Sequence, residues 1–302
     1  MLSRVAEALY WMGRYIERAE HSARVLTAMR DLKLDLNEVD RDVAEEQWQG
    51  ALQALSLPDM SIDRLVLDPS EPNSLLCCMS RARENARQVR EAISPEMWEK
   101  LNQQYWQLRD ATGRGLNESM VAEALTGIVA SGFLWDGVTD ATMIRGEGWL
   151  FLKLGKFVER IDGIARLVAA RLSANERRPL DERSGNVEWL TLLKSFDALD
   201  AYRKAHPKRV DQRAVVEFVL FESEFPRTLR YSTSIAADLA RRLLRLHPQS
   251  GRGVERDFGK VAARVEYADF DSLAAPDNGF LRDVLADVNA GSMCLQKTFF
   301  LC

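Results

Sequence analysis

Two Glu-Arg pairs, Glu17-Arg18 and Glu159-Arg160, have the strongest claim to chemistry in this chain. Each lies in the same context, Gly13-Arg14-Tyr15-Ile16-Glu17-Arg18-Ala19-Glu20 and Gly155-Lys156-Phe157-Val158-Glu159-Arg160-Ile161-Asp162, with Ala23-Arg24 and Ala165-Arg166 following. Glycine, cation, aromatic, β-branched residue, Glu-Arg, apolar residue and acid recur at one constant offset. Two chemistries fit the pattern. In the first, Arg14, Arg18 and Arg160 hold a carboxylate or phosphate through paired N–H donors, and Glu17 or Glu159 orients an amine. In the second, the charges pair with one another as surface or inter-helix salt bridges, such as Arg14 with Glu17 or Glu17 across to Arg160. Residues i and i+1 do not face each other along a helix, so Glu17 and Arg18 must each find a partner elsewhere. The structural reading leads, because ion-pair networks perturb protonation without doing chemistry.

The next charged group is the stretch Ser80 to Arg87. Arg81, Glu84 and Arg87 are spaced by three and share one helical face, with Asn85 beside them. Asp238 and Arg241 repeat the acid and arginine in the second half of the chain. Arg227 lies in Pro226-Arg227-Thr228-Leu229, at a helix start where free backbone N–H groups favour anions. Asp68 and Glu222 each precede a proline-broken turn and read as caps of the helix that follows. His21 falls one turn after Glu17, while His206 and His247 each precede a proline. The chain shows no Cys/His or Ser/His/Asp grouping, no metal-ligand spacing and no glycine-rich phosphate loop. No catalytic residue, metal site or cofactor is therefore assigned.

Composition narrows the function classes. With 41 basic and 45 acidic residues the net charge is −4, and the charges are mixed along the chain, so no nucleic-acid partner is expected. Cys77, Cys78, Cys294 and Cys302 form neither a disulfide framework nor a metal pair, and read as reduced thiols of a cytoplasmic protein. Arg4 and Glu7 argue against a signal peptide. No apolar run is read as reaching the ~20 residues of a spanning helix, so no membrane partner is expected.

The elements that must position these residues are helices. Apolar residues at Val5, Ala8, Leu9, Met12, Ile16, Ala19, Ala23 and Leu26 repeat by threes and fours and predict a helix over 3–35. Leu154, Val158, Ile161, Ala165 and Val168 repeat that stripe in a second long helix. Further helices are expected at about 37–57, 73–93, 95–110, 116–139, 187–204, 209–221, 254–270 and 276–300, with a polar loop at 173–186. No segment alternates with period two, so the chain is read as all-α, with about ten or eleven helices. A second block recurs as well: Leu65-Val66-Leu67-Asp68 with Pro72-Asn73-Ser74-Leu75 parallels Val219-Leu220-Phe221-Glu222 with Pro226-Arg227-Thr228-Leu229. Two blocks recurring in order imply an internal duplication. The expected organisation is one domain over 1–302, made of pseudo-repeated halves at about 1–145 and 146–302, with the two Glu-Arg helices meeting near their axis.

The opening Leu2-Ser3-Arg4-Val5-Ala6-Glu7-Ala8-Leu9-Tyr10-Trp11-Met12-Gly13-Arg14-Tyr15-Ile16-Glu17-Arg18 resembles the bacterial alpha-E domain family, helical proteins named for a Glu-Arg motif. Ala82-Arg83-Glu84-Asn85-Ala86-Arg87, Leu154-Gly155-Lys156-Phe157-Val158-Glu159-Arg160 and Phe225-Pro226-Arg227-Thr228-Leu229 resemble its other motifs, and the likeness spans essentially the whole chain. Glu71-Pro72-Asn73 departs from the Asn-Pro expected there, and Thr228 stands where serine is commoner. The resemblance implies association with a circularly permuted ATP-grasp protein and with a transglutaminase-like protein. ATP-grasp enzymes join a carboxylate to an amine. The expected role is a helical accessory protein of a peptide or amide ligation system, binding the ligase or a peptide or small anionic substrate through the Arg/Glu face. The alternative is an enzyme acting on the ligated product, with Glu17 or Glu159 as acid/base in a pocket between the halves.

Overall fold

The first long helix buries an apolar stripe on one side and a row of charged residues on the other, so neighbours pack around it. The structure, a computed structural model, describes residues 1–36, 41–112, 117–177, 182–206, 210–273 and 279–301. Among them are thirteen α-helices and no strand. The first half holds α1 (Ser3–Leu36), α2 (Arg41–Ala54), α3 (Ile62–Leu67), α4 (Leu75–Gln88), α5 (Pro95–Thr112) and α6 (Glu118–Thr142). The second holds α7 (Glu147–Arg177), α8 (Glu182–Ser195), α9 (Leu199–Ala205), α10 (Gln212–Phe221), α11 (Leu229–Leu246), α12 (Gly253–Glu266) and α13 (Gly279–Phe299). The count exceeds ten or eleven for two reasons. The stretch before Asp68 forms the short helix α3, and the segment expected as one helix over 187–204 is broken by a turn at Phe196 to Ala198. The polar loop expected at 173–186 is a correction too. α7 continues to Arg177 and α8 already begins at Glu182, because the charged residues there have good helix propensity; residues 178–181 of the expected loop lie outside the described residues.

α1 and α7 are the central pair, and their neighbours correspond. α1 packs against α4 and α6, and α7 against α11 and α13; α2 reaches over to α7, and α8 to α1. The two long helices cross at Gly13 and Gly155. A methyl group on Gly13 would overlap the carbonyl oxygen of Leu152, and one on Gly155 would overlap that of Tyr10. Only residues without a Cβ let two helix backbones approach so closely.

Matching turns precede α4 and α11. Ser74 Oγ donates to the Asp68 carbonyl (2.6 Å) and accepts from Cys77 N–H (3.1 Å); Thr228 Oγ1 donates to the Glu222 carbonyl (2.6 Å) and accepts from Tyr231 N–H (3.3 Å). The N-caps are thus the hydroxyls. Asp68 and Glu222, expected to cap the following helix, instead end α3 and α10, where their carboxylates accept from the N–H of Ser70 and Glu224. Both residues are fully buried; the Ser74 hydroxyl makes two bonds, and that of Thr228 also lies 3.0 Å from the Phe225 carbonyl. Ser74→Ala and Thr228→Ala are each expected to cost about 1–3 kcal/mol in a urea titration, whereas Thr228→Ser should change little.

α6 corrects another expectation: by length and apolar composition alone it is a helix able to cross a bilayer. Here Val121, Leu125, Ile128, Gly132, Trp135 and Thr139 form one buried face, turned toward α1 and α5. Cys77, Cys78 and Cys294 are free thiols, and Cys302 lies outside the described residues.

Candidate functional site

The α1–α7 crossing places each Glu-Arg pair against the other. Arg160 grips Glu17 with two bonds, Nε to Oε1 at 2.6 Å and Nη2 to Oε2 at 2.8 Å. Reciprocally, Arg18 donates from Nε to Glu159 Oε1 at 2.5 Å, and Arg14 from Nε to Glu159 Oε2 at 2.6 Å. Glu17, Glu159 and Arg160 are buried, Glu17 at 2% exposed and Arg160 at 6%, while Arg14 and Arg18 are half-buried. Arg14, Glu17 and Arg24 fall on the side of α1 opposite its apolar stripe. That face is nonetheless interior, because α1 is surrounded.

Burial pushes the Glu17 carboxyl pKa up, but Arg160, Lys156 and Arg227 outweigh it and hold it below the ordinary carboxylate range. Burial acts the same way on Glu159, and Arg14 and Arg18 overcome it. Both glutamates are therefore ionised and occupied on both oxygens. Neither is placed to carry a proton at neutral pH, which weighs against the acid/base alternative.

Around this double lock the two sides differ. On the Glu17 side, Arg227 bonds Glu20 and approaches Glu17 to 3.7 Å, and Arg24 bonds Glu20 (2.7 Å) and Asp197 (2.6 Å). Lys156 bonds Asp136. Phe133 lies against the guanidiniums of Arg24 and Arg227, at 4.8 and 5.9 Å. With Lys153, which pairs with Asp136 and Asp140, five cations there meet five carboxylates. Only about 10 Å³ of space is left between Glu17 and Lys156, while a separate cavity of about 290 Å³ between α5 and α6 reaches Glu20 from the other side.

The Glu159 side is open. A cleft of about 510 Å³ is lined by Arg14, Arg18, Asn73, Glu159, Asp162 and Arg166, with Ser56 and Asn289 at its edge. Arg166 donates to Asp162 at 2.7 Å and Arg18 to Asn73 at 3.1 Å. Three guanidiniums here face two carboxylates, leaving one positive charge in excess. His21 also borders the cleft, stacked on Phe196 and packed over Gly163. Burial lowers its pKa to about 4, so it adds no charge.

The anticipated site residues divide cleanly. Arg14, Glu17, Arg18, Glu159, Arg160 and Arg227 come together in one network. Arg227, which directly precedes the α11 N-cap Thr228, has its guanidinium on Glu20 and near Glu17. Glu84 and Arg87 pair with each other on the exposed face of α4, and Asn85 is half-buried outside the network. Arg81 joins only through Tyr15, whose ring lies between it and Arg18 at 5.6 and 5.8 Å. Tyr10 and Trp11, which share the charged side of α1, flank Arg14. Sequence reasoning did not assign Glu20, Arg24, Asp162 and Arg166 to the site, although each sits at a repeated position. Asn73 lies in a repeated block but was not assigned to the site; Ser56, Asp136 and Asp197 carry no motif signal and are found only from the packing.

A reciprocal pair of Glu-Arg locks is what the comparison with known families turns on. Residues 1–300 match the model of Alpha-E, described as a predicted alpha-helical domain with a conserved ER motif. The chain belongs to the Alpha-E family. This Alpha-E chain carries Glu-Arg within its repeated stretch at Glu17-Arg18 and Glu159-Arg160. Similar proteins include uncharacterized proteins of Mycobacterium bovis and of two strains of Mycobacterium tuberculosis, each 27% identical over 338 aligned residues. The match takes in 97% of this chain but 37% of the length of each relative, so the Alpha-E chain spans little more than a third of them. No solved structure matches.

Proposed function

We propose that this Alpha-E domain is a non-catalytic helical partner in an ATP-grasp-based peptide or amide ligation system, and that its open cleft holds an anionic peptide or small anionic substrate. One observation carries the proposal. The ER motif is consumed by mutual pairing, yet beside it lies a polar cleft with a guanidinium in excess, and such a cleft favours an anion. Its volume falls within the ~300–1,000 Å³ usual for small-ligand sites. The mycobacterial relatives, in which the matching segment is joined to a much longer chain, fit a domain that works beside another protein. The ligase is expected to be a circularly permuted ATP-grasp protein, with a transglutaminase-like protein as a further partner. The two halves, 1–145 and 146–302, are read as products of one duplication within a single domain. Co-purification of the chain with an ATP-grasp protein encoded beside it, with and without nucleotide and peptide, is expected to give a stable complex. Failure to associate under every condition would overturn the partnership.

A further inference from the structure

The two sides of the α1–α7 crossing are built on matching positions, and what differs between them identifies the missing group. α2 and α8 end in the same backbone motif. Ser56 N–H bonds the Gln53 carbonyl and Leu57 N–H that of Leu52; Asp197 N–H bonds the Lys194 carbonyl and Ala198 N–H that of Leu193. Ser56 and Asp197 are the left-handed residues of these caps, with φ of 55° and 57°. On the closed side, the Asp197 carboxylate takes Arg24 Nη1 while Glu20 takes Nη2. On the open side, Arg166 stands where Arg24 stands and Asp162 where Glu20 stands, but position 56 is a serine. Among the described residues, Arg166 donates only through Nε, to Asp162. Its side chain is 44% exposed, and both it and Ser56 border the cleft.

We propose that the cleft contains a subsite for a single carboxylate of an acyclic ligand such as a peptide C-terminus or acidic side chain, and that this carboxylate sits on Arg166 beside Ser56, in the place Asp197 fills in the other half. The terminal nitrogens of Arg166 supply a paired donor set that matches a carboxylate in plane. The Ser56 hydroxyl adds a donor, and Arg18 and Arg14 supply the surrounding positive field. A guest with one negative charge brings three guanidiniums and three carboxylates into balance, the same parity that the closed side reaches with its own side chains. A cation is disfavoured, because the open side already has a positive charge in excess. This assignment deepens the guest proposed above and rests on that reading, but it does not depend on any ligase.

The test uses the full chain alone, with N-acetyl-alanyl-alanine as the probe and its C-terminal amide as the neutral control, in a calorimetric or NMR titration. The acid is expected to bind, and the amide at least about tenfold more weakly. Ser56→Asp should fill the subsite from within, because aspartate accepts the left-handed conformation at this position as Asp197 does. It is expected to weaken probe binding at least about tenfold while raising the thermal midpoint. Arg166→Gln should weaken binding similarly, without loss of fold, since its side chain is partly exposed. If the wild-type chain binds neither acid nor amide, the anionic-guest reading falls together with the subsite. If the acid binds wild type, Ser56→Asp and Arg166→Gln equally well, the subsite is wrong and only the broader reading survives.

Discussion

Glu17→Gln is expected to lower stability by about 3–5 kcal/mol, the usual cost of breaking a buried ion pair. The change removes the charge and keeps the shape. Arg160 then loses a two-bond partner in the interior, and Arg227 is left with Glu20 alone. The cost comes mostly from stranded guanidinium charge, not from the lost bonds themselves. Glu84→Gln provides the contrast. Its pair with Arg87 is equally short, 2.6 Å, but it is solvent-exposed, and no measurable loss is expected. The sign of the pH dependence follows from the same groups. Glu17 and Glu159 have folded pKa values below their unfolded ones, so their contribution is fully present above the unfolded value of 4.5 and fades as pH falls through the folded values. Acid unfolding of the wild type should therefore set in below about pH 4.5, and Glu17→Gln should shrink the part of the slope due to that carboxyl.

Gly155→Ala is expected to cost at least about 3 kcal/mol, or to prevent folding, and Gly13→Ala to behave the same way. The obstacle is backbone, the carbonyls of Tyr10 and Leu152, which no side-chain rotation can relieve. Separating α1 from α7 to admit a methyl group would also stretch the Glu17–Arg160 and Arg18–Glu159 bonds, so packing and charge are lost together. Gly50, in α2, has nothing near the position of an added methyl. Gly50→Ala should be neutral or stabilising by about 0.5–1 kcal/mol, because alanine is the better helix former. Denaturant midpoints for the three variants decide the matter. Equal effects at all three glycines would mean that α1 and α7 do not meet there.

Much of this was legible in the chain. The period of three and four residues gives the helices, and the repeated Gly-x-x-x-Glu-Arg stretch marks α1 and α7 as counterparts. Pairing of Glu17 across to Arg160 is among the readings the repeat allows; what it cannot reveal is that both pairs are buried and that Glu159 is held by Arg14 as well as Arg18. Glu17 and Arg160 are far apart in sequence and meet only through the crossing at Gly13 and Gly155. Helix ends were the weakest part. The tail of α7 and the start of α8 look polar enough for a loop, yet local helix propensity prevails there. The difference between the two sides was hidden for another reason. It depends on Ser56 against Asp197 and Asn73 against Arg227, single residues whose meaning appears only once their counterparts are superposed. On α4 the regular spacing of Arg81, Glu84 and Arg87 produces a charged face with Glu84 paired to Arg87 at i,i+3, and most of it faces water.

The most direct measurement is the coupling free energy between Glu17 and Arg160, obtained from the stabilities of wild type, Glu17→Gln, Arg160→Met and the double variant. Reciprocal locking of α1 to α7 predicts a coupling of at least about 2 kcal/mol, with the double variant less damaged than the two single losses combined. Losses that simply add, with coupling near zero, would contradict it.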